Sequence, residues 1–554
     1  MDIVNVAFEF LDQDEKMTPG FSEITCHLVF TVKFDLTRKS RYVAGGHLAP
    51  SVPKFLTYSS VVSRESVRIA FTIAALNGLD VIAGDVSHAY LHAKTKEKVW
   101  FRAGSEFGPR RGRQIKVVRA LYGLPSSRNA WRNQLADTLR NHLGYKSSLA
   151  DPDVWMKIET KPNGEKYYAY ILCYVDDLLI VHDDPYKDMQ KIKNHYPVAE
   201  KSIGPPKVYL GANIQKLKSN TANLDCWGAS SEQYVRESVK NVKARLKNDG
   251  FIFNKKLSDP NYSPDSPFSN KQYRPEIDTT LECNSLQTTF FQNLIGILRW
   301  IIELGRIDIS FEVSVLSSYL VNPRVGHLQQ ALHIFKYLDI HKENFISFDP
   351  TPLVLEEPVN RLESPEERAK QMKEFYPDAE ESIPLNAPQP LGHAIQINCF
   401  VDADHAGNLV TRRSHTGIII FLNMAPISWY SKRQNTVESS TYSSEFIALK
   451  TAIEQIMALR YKLRMLGIPL EGPARIFCDN EAVYRNASDA TSTLKKKHQS
   501  IAYHLSRHSV AASIVIIYKE DGETNLADIC TKGTLSKNKR KFLRGCIMVS
   551  EKVN

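Results

Sequence analysis

Short strand-like runs and helix-period patterns alternate along the first half of the chain. The stretch 168–184, YAYILCYVDDLLIVHDD, places the adjacent carboxylates of Asp176 and Asp177 between two runs of strand-forming apolar residues. Runs of about four to eight such residues on either side of a short polar break predict a hairpin. Burying two neighbouring acids without partners would cost several kcal/mol, so a compensating group is expected, and a divalent cation is one such group.

The same half also contains two predicted strands and two predicted helices. HLVFTVKFDL (27–36) and RYVAGGHLAP (41–50) read as strands. SVVSRESVRIAFTIAALNG (60–78) is an amphipathic helix ended by Gly78. SSRNAWRNQLADTLRNHLGY (126–145) is a second helix, with its apolar residues at helical spacing.

The second half changes character twice. Residues 285–340 predict helices separated at Gly305 and Pro323, and residues 350–392 are Pro-rich and acidic, typical of a linker or a surface excursion. A βαβ-like region follows, and its predicted elements are strands near 395–402 and 416–422, a helix near 441–466, and strands at 474–478 and 513–519. The predicted fold class is therefore a multidomain α+β or α/β protein.

Composition narrows the class of protein. A chain of 554 residues is too long for one core, so about two to four domains are expected. A net charge of +10 with 24 Tyr and 24 Phe is compatible with a polyanionic partner, nucleic acid first. The eight Cys are scattered without a CxxC pair, which favours reduced thiols over a zinc site or a disulfide framework.

Targeting and membrane signals are not evident in the sequence. Apolar runs stay short of the ~18 residues of a membrane span. The N-terminal segment MDIVNVAFEFLDQDEK has no basic region followed by an apolar one, so it does not read as a secretory signal. An intracellular protein with no membrane partner is expected.

A third carboxylate precedes the acidic pair in the sequence. In the segment LDVIAGDVSHAYLHA, Asp85 lies near the end of a predicted strand. An Asp at a strand terminus that faces an Asp from a neighbouring hairpin can hold two Mg²⁺ ions ~3.5–4 Å apart, as a polymerase requires. Carboxylate oxygens are ligands that Mg²⁺ prefers. The alternative is a solvated turn, but the order DVSHAYL, LYGLPSSRNAW, YVDD favours the metal site.

These motifs resemble the reverse transcriptase–RNase H portion of a copia-type LTR retrotransposon Pol polyprotein, over nearly the whole chain. TRKSRYVAGGHL resembles the fingers strand, GDVSHAYLHA and VRALYGLPSSRNAW resemble successive palm motifs, and VYLGANI resembles the primer grip. FFQNLIGILRWI with the segments after it resembles the connection. The resemblance implies a right-hand polymerase of fingers, palm and thumb, followed by a helical connection and an RNase H-like domain.

The implied domains follow the motifs in order. They are N-terminally shortened fingers and palm at 1–255, a mainly helical thumb and connection at 256–349, the acidic linker or insertion at 350–392, the RNase H-like domain at 393–545 and a tail at 546–554.

Polymerase residues carry over from the resemblance one by one. Asp85, Asp176 and Asp177 would be the catalytic, metal-binding triad. Tyr90 would be the aromatic gate that rejects a 2′-hydroxyl by steric clash; the alternative is a core aromatic.

Nucleotide contacts are implied as well. Lys33, Arg38 and Arg41 would be the cationic fingers, and Arg41 is the best candidate for gripping triphosphate oxygens because its planar fork binds phosphate in a bidentate manner. Each of the three has the alternative of a solvated surface charge. Gly123 would let the backbone approach the nucleotide or template closely. After LYGL the family usually has Lys-Gln-Ala-Pro, where this chain has residues 125–128, PSSR.

The second site that the resemblance implies is the two-metal active site of a ribonuclease H. INCFVDADHAGN, SSTYSSEFIALKTAIEQ, ARIFCDNEA and TNLADICTK supply its four catalytic and metal-binding carboxylates, which are Asp402, Glu445, Asp479 and Asp528. The helix that carries Glu445 is predicted to bury the apolar positions Phe446, Leu449, Ile453, Ile456 and Met457.

Basic residues follow in the same domain. The run LKKKHQSIAYHLSRH resembles the family's Lys-His…Tyr-His segment, so His498 or His504 would act in proton transfer or product release. Ser500 stands where the family often has Asp. Lys495–Lys497 and the run SKNKRKFLRG (536–545) are suited to phosphate contacts, with a solvated face as the alternative.

The leading hypothesis is an RNA-directed DNA polymerase with RNase H activity. Its cofactor would be Mg²⁺, or Mn²⁺ as an alternative, at two ions per active site. Its partners would be an RNA template, a DNA primer, dNTPs and the RNA–DNA hybrid, with a homodimer or retention in a larger polyprotein left open. The family works in cytoplasmic virus-like particles, with a nuclear location as the alternative.

Two other functions remain open. A catalytically inactive or domesticated nucleic-acid-binding relic is one, because the chain begins inside the fingers and contains no gag, protease or integrase region. RNase H activity alone is the other, if the shortened fingers do not close on nucleotide.

Overall fold

The computed structural model of the chain describes residues 6–12, 15, 17–32, 38–219, 224–248, 263–269, 272–354, 365–494 and 497–550. The chain forms two compact units. The first comprises Met1–Val67 and Leu79–Pro206, and the second comprises Arg68–Gly78 and Lys207–Asn554. The predicted boundary near residue 255 lies outside the described residues.

Small antiparallel sheets dominate the first unit. Its strands are β1 Phe8–Phe10, β2 Ser22–Glu23, β3 Cys26–Val32, β4 Arg38–Ala44, β5 Asp80–Asp85, β6 Val99–Arg102, β7 Gln114–Val117, β8 Lys146–Ser147, β9 Val154–Thr160, β10 Lys166–Tyr174 and β11 Asp177–His182. Its helices are α1 Lys54–Thr57, α2 Arg64–Leu76, which continues into the second unit, α3 Ser127–Asn141 and α4 Pro185–Lys193.

The predicted hairpin is confirmed as β10 and β11, at the centre of an antiparallel sheet in the order β5-β11-β10-β9-β8. Leu178–Val181 of β11 are fully buried, so this strand has apolar contacts on both faces. A second sheet has the order β1-β7-β6-β2, and β3 pairs with β4 as a separate ribbon. The predicted strand at 41–50 ends early, at Ala44, and a 3-10 helix follows it.

The two predicted helices form as α2 and α3. Gly78, two residues beyond α2, has a φ of +60°. Only glycine adopts this left-handed conformation without a steric penalty, which is why the helix ends there.

The second unit contains two sheets and most of the helices. Its strands are β12 Val208–Tyr209, β13 Ala212–Lys218, β14 Asp225–Ser230, β15 Asn344–Phe348, β16 Ile397–Asp404, β17 His415–Leu422, β18 Ala425–Arg433, β19 Ala474–Cys478, β20 Val515–Lys519 and β21 Val549–Ser550. Its helices are α5 Glu232–Asn248, α6 Ser285–Glu303, α7 Ser310–Leu316, α8 Val325–Ile340, α9 Pro365–Phe375, α10 Thr441–Met465, α11 Glu481–Ser488, α12 Ser500–Ala511 and α13 Lys537–Ile547.

The larger of these sheets has the order β18-β17-β16-β19-β20. Strands β18, β17 and β16 pair antiparallel, whereas β16, β19 and β20 pair parallel. The four strands predicted beyond residue 393 and the long helix α10 are all present, and β18 was not predicted. The second sheet, β12-β13-β14-β15-β21, includes residues of the predicted C-terminal tail.

The helices α6, α7 and α8 confirm the helical segments predicted between 285 and 340. Their apolar faces, together with α5, form one buried cluster that includes Phe291, Leu298, Leu316 and Leu338. Burial of such side chains stabilises each helix by roughly 1.5–3 kcal/mol per residue.

The acidic segment 350–392 packs on its own unit where the structure describes it. Helix α9 lies against α12, and Met372 is completely buried. Further along, Glu381 forms ion pairs with Arg460 and Arg464 of α10. Residues 355–364 of the predicted linker lie outside the described residues.

Two buried ion pairs lie beside the helical cluster, and one of them joins it to the C-terminal helix. The guanidinium of Arg306 makes a bidentate contact with Asp308 at 2.9 and 2.8 Å, and both side chains are fully buried. Arg540 of α13 donates to Glu312 of α7 at 2.9 Å, with side chains 2% and 0% exposed. The run SKNKRKFLRG was expected to contact phosphate or to be solvated, but its Arg540 is instead buried against a carboxylate of the same chain.

No helix within the described part of the chain is long and apolar enough to cross a membrane.

The Arg540–Glu312 pair yields a stability prediction. The variant Arg540→Met leaves the Glu312 carboxylate buried without a partner, so we expect the free energy of unfolding to fall by about 3–5 kcal/mol. Urea denaturation followed by circular dichroism measures this change.

Two variants serve as controls. Glu312→Gln combined with Arg540→Met removes both charges and should recover most of the loss. Lys218→Met breaks the exposed pair with Asp225 and should cost less than about 1 kcal/mol. A loss in Arg540→Met no larger than in Lys218→Met would contradict the assignment.

Candidate active sites

The first group of acids lies where β5 and β11 meet, and we call Asp85, Asp176 and Asp177 the hairpin site. Asp177 is the first residue of β11 and pairs directly with Asp85, the last residue of β5. Directly opposed residues of antiparallel strands place their side chains on the same face of the sheet. The two carboxylates predicted from separate motifs therefore come together through strand register.

The turn that carries Asp176 is strained and held in place. Tyr174 pairs with Asp177, so Val175 and Asp176 form a two-residue loop, and Val175 has a φ of +62°. A positive φ at the first loop residue is typical of a type II′ turn, where glycine is preferred and valine is strained. Trp131 Nε1 donates to the Val175 carbonyl at 2.7 Å, and the Val86 amide donates to the Asp176 carbonyl at 2.9 Å. These two bonds fix the turn against α3 and β5.

Aromatic and cationic side chains surround Asp176. The rings of Tyr90 and Tyr122 lie 4.8 Å apart between centroids, and the Arg41 guanidinium lies 5.5 Å from the Tyr122 ring. Arg128 lies near enough to Tyr90 for its charge to oppose the rise in the pKa of that tyrosine. Burial raises the pKa of both tyrosines, and the charge of Asp176 raises it further. The structure thus brings the predicted residues Arg41 and Tyr90 to one place beside Asp176.

Tyr122 and Arg128 are members of this cluster that the sequence reasoning did not single out. Arg128 stands in the PSSR segment that departs from the family, at the position where the family usually has Pro. Its charge acts on Tyr90, so the segment that has lost the family's lysine still contributes a cation near the hairpin site.

The structure describes two of the other three residues that were predicted to contact the nucleotide or template. Gly123 has a φ of +95°, and a Cβ atom there would lie 2.1 Å from the Ala44 carbonyl oxygen, so only glycine fits against the end of β4. This close approach docks the segment that carries Tyr122 on the strand that carries Arg41. Arg38 is the exposed first residue of β4, and Lys33 lies outside the described residues.

The second group of acids lies at one end of the larger sheet of the second unit, and we call Asp402, Glu445, Asp479 and Asp528 the sheet-end site. Asp402 follows Val401, which pairs in parallel with Cys478, the residue before Asp479. Parallel neighbours end at the same edge of a sheet, so these two acids lie side by side. Glu445 reaches them from the second turn of α10, which begins after the N-cap Ser440.

Three of these acids converge closely. Asp402, Glu445 and Asp479 each place a carboxylate oxygen within 4.8 Å of the others. Burial, together with the charges of Asp528 and Asp479, raises the pKa of Asp402 to about 7, although Lys532 and Thr531 act in the opposite direction. Burial and the charges of Asp402 and Asp479 also raise the pKa of Glu445. Three like charges at this spacing are unstable without a cation.

The fourth acid, Asp528, is placed differently. It is fully buried, and both of its oxygens face lysines: Lys532 Nζ lies 2.5 Å from Oδ1 and Lys539 Nζ lies 2.8 Å from Oδ2. Lys532 Nζ also lies 3.4 Å from Asp402 Oδ1, and the Thr531 hydroxyl donates to Asp402 Oδ2. Asp528 is thus adjacent to the three converging acids through Lys532 rather than in direct contact with them.

The donor set of the sheet-end site fits a magnesium or manganese ion. It consists only of carboxylate oxygens, and Glu445 Oε2 is buried without a hydrogen-bond partner in the described structure. A metal ligand is one explanation for such a buried oxygen. The hairpin site offers the same oxygen donors, but among the described residues its three acids do not reach the 4.8 Å spacing of the sheet-end site.

Other predicted and unpredicted residues surround the sheet-end site. His498 is exposed in a 3-10 helix, and its Nε2 lies 4.0 Å from the buried Glu438. Lys495 and Lys496 lie outside the described residues. The helix α10 buries Phe446, Leu449, Ile453 and Ile456 as predicted. Met457 is 40% exposed because the buried stripe continues from Ile456 to Leu459 and Leu463 and leaves Met457 at its edge.

Lys532 and Thr531 are the residues that the sequence reasoning missed. They belong to the motif TNLADICTK, in which Lys532 follows Asp528 at the i,i+4 spacing of one helical turn. At this spacing a lysine is commonly paired with an acid, and that signal was present in the sequence.

A groove of about 710 Å³ lies between α6, α7 and β18 within the second unit. Its lining includes four cations, which are Arg299, Arg413, Lys432 and Arg433, against the single acid Glu303. Trp300, Trp429 and Tyr430 add aromatic surface. The Arg68 guanidinium covers the Trp429 ring at 3.9 Å. A cationic groove with aromatic side chains is typical of nucleic-acid binding.

Among solved structures, the chain is similar to LC11-RNase H1 in complex with an RNA/DNA hybrid, at 15% identity and a TM-score of 0.21, over 24% of this chain and 94% of that one. It is also similar to the N-terminal RNase H domain of rv2228c from Mycobacterium tuberculosis, at 12% identity and a TM-score of 0.21, over 27% of this chain and 97% of that one.

Residues 16–242 match the reverse transcriptase (RNA-dependent DNA polymerase) family. The chain is 24% identical to the retrovirus-related Pol polyprotein from transposon TNT 1-94 of Nicotiana tabacum, over 93% of this chain and 35% of the relative. It is 23% identical to the Pol polyprotein from transposon RE1 of Arabidopsis thaliana, over 92% of this chain and 30% of the relative. The chain thus spans about a third of the length of these relatives. The matches confirm the resemblance drawn from the motifs: the chain is similar to the copia-type retrotransposon Pol polyproteins over most of its length, and its first half matches the reverse transcriptase family.

Proposed function

We propose that the chain is an RNA-directed DNA polymerase that also degrades the RNA strand of RNA–DNA hybrids. The observation that carries the proposal is the placement of two separate carboxylate groups at the ends of buried strands, one in each unit. Rigid strands hold such groups within the narrow tolerance that phosphoryl transfer requires.

In the polymerase, the hairpin site would position the primer end and the nucleotide. Asp85 and Asp177 present carboxylates on one face, and the tethered turn fixes Asp176 beside them. Arg41 would hold triphosphate oxygens, and the Tyr90 ring would exclude a 2′-hydroxyl. Arg128, whose charge acts on Tyr90, would help to position that ring.

In the ribonuclease, the sheet-end site would hold the scissile phosphate of the RNA strand. Asp402, Glu445 and Asp479 would be its metal-binding residues, while Asp528 would orient Lys532 and Lys539. His498, exposed at the surface, would assist proton transfer or product release. At both sites, bound Mg²⁺ or Mn²⁺ would supply an activated oxygen nucleophile and neutralise charge on the leaving group.

The cationic groove supports a nucleic-acid partner for the second unit. Arg299 of α6 and Lys432 of β18 are exposed and both line the groove, so a phosphate backbone that lies along the groove would contact both. Contacts to phosphate and sugar carry little sequence information. We propose that the groove holds a strand of the RNA–DNA hybrid, whatever its sequence.

Polymerase activity is tested at the hairpin site. We expect Asp176→Asn to reduce incorporation of labelled dTTP on poly(rA)–oligo(dT) with Mg²⁺ by at least about a hundredfold, because several kcal/mol of charge stabilisation is lost. Asp184→Asn changes an exposed acid just beyond the other end of β11 and should leave incorporation unchanged. Equal activity in both variants would refute the assignment.

Ribonuclease activity is tested at the sheet-end site. We expect Asp479→Asn to abolish cleavage of the labelled RNA strand in a hybrid while incorporation of dTTP persists, because the polymerase acids are untouched. The matched control, Glu471→Gln, changes an exposed acid before the opposite end of β19. If the wild-type protein is inactive in both assays but still binds hybrid, the chain is a non-catalytic relic.

Groove binding is tested by salt dependence. Arg299→Gln and Lys432→Gln should each weaken hybrid binding and reduce the slope of log affinity against log salt by about 1 between about 50 and 200 mM KCl, because each removes one phosphate contact. Fluorescence anisotropy in the Asp479→Asn background measures binding without cleavage. Arg485→Gln removes an exposed cation on α11, outside the groove, and is the control. Unchanged slopes in both groove variants would exclude the groove as the binding surface.

A further inference from the structure

The sheet-end site contains a cation that the chain itself supplies. Lys532 places its ammonium 2.5 Å from Asp528 Oδ1 and 3.4 Å from Asp402 Oδ1. It therefore bridges two of the four acids, and one of these, Asp402, is also among the three acids whose oxygens converge within 4.8 Å of one another. Among the described residues Lys532 forms no ion pair with Glu445 or Asp479, so the positive charge lies nearer to Asp528 than to Glu445.

Individual carboxylate oxygens of the site differ in how much positive charge lies next to them. Both oxygens of Asp528 face an ammonium group, one from Lys532 and one from Lys539. Glu445 Oε2 and Asp528 Oδ2 are both buried without a hydrogen-bond partner in the described residues, but Asp528 Oδ2 has the Lys539 ammonium 2.8 Å away. A divalent cation would gain most at the side of Glu445 and least at the side of Asp528.

The Lys532 side chain is also exposed enough to move away from the two carboxylates that it bridges. Its side chain is 34% exposed, while the carboxylates it bridges are 2% and 0% exposed. Lysine is a compact point charge on a flexible four-carbon stem, and phosphate competes well for it. Lys539, at 15% exposure, also donates to the Gly522 carbonyl and is held more firmly.

We propose that Lys532 is a built-in counter-ion that takes the place of the second divalent cation in the free protein. The site then binds one divalent cation at Asp402, Glu445 and Asp479, and a second cation between Asp402 and Asp528 has to displace the Lys532 ammonium. The inference rests on the proposed ribonuclease function of these acids and concerns how their metal binding is regulated.

Metal counting tests the proposal without any activity measurement. In a background with Asp176→Asn and Asp177→Asn, which removes the hairpin site, Mn²⁺ alone is titrated and free Mn²⁺ is followed by electron paramagnetic resonance. We expect one tightly bound Mn²⁺ per chain with Lys532 present. Lys532→Met should admit a second Mn²⁺ with an affinity at least about tenfold higher than in the background protein, a change worth about 1.4 kcal/mol.

Two further variants separate the counter-ion from other roles of the lysine. Lys532→Arg keeps the charge and should still admit one ion. Lys539→Met removes the other lysine on Asp528 but leaves the bridge to Asp402, and should also admit one ion. Identical isotherms for Lys532→Met and its background, or a second tight ion in Lys532→Arg, would overturn the proposal.

Stability without metal gives an independent readout. In EDTA, Lys532→Met should melt at a lower temperature than its background because the buried acids lose their counter-ion, and saturating Mn²⁺ should restore the melting temperature. Equal melting temperatures in EDTA would overturn the proposal. Hybrid cleavage by the background protein is measured separately, so a missing ribonuclease activity is distinguished from a missing counter-ion effect.

Discussion

Repulsion between carboxylates held a few ångströms apart is the constraint on which the rest of this structure depends. At the sheet-end site three acids come within 4.8 Å of one another in a largely buried environment, where a like charge is far more costly than in water. Only a stiff framework keeps such groups together. The parallel pairing of β16 with β19 and the long helix α10 provide it, because each positions its acid by backbone geometry rather than by side-chain contacts.

The two sites meet this constraint in different ways. The hairpin site is more exposed, and its acids are positioned by strand register and by a strained turn whose two carbonyls are tethered to Trp131 and Val86. The sheet-end site is buried and carries its own compensation in Lys532 and Thr531. Solvent screens the first set of charges, whereas the second set needs a cation from the chain or from solution.

Buried charge recurs in the second unit as a means of joining distant segments. The C-terminal helix α13 inserts Arg540 against Glu312 of α7, and its neighbour Lys539 reaches Asp528. Since a buried charge without its partner is strongly destabilising, each pair fixes α13 in one position. The same helix therefore couples the helical cluster to the sheet-end site, and it does so with residues that look like a solvated basic run in the sequence.

Local periodicity in the sequence was enough to predict the strands around Asp176 and Asp177 and the helices α2, α3 and α10. The sets of acids that belong together were implied by motifs that resemble a known family. The sequence did not reveal β18, the packing of α9 on α12, or the inward direction of Arg540. Those features depend on partners far away in the chain. Likewise, TNLADICTK contains both Asp528 and Lys532, but only the tertiary structure shows that the lysine bridges Asp528 to Asp402. Local pattern fixes which residues form an element, whereas the balance of buried charges is decided by which elements meet.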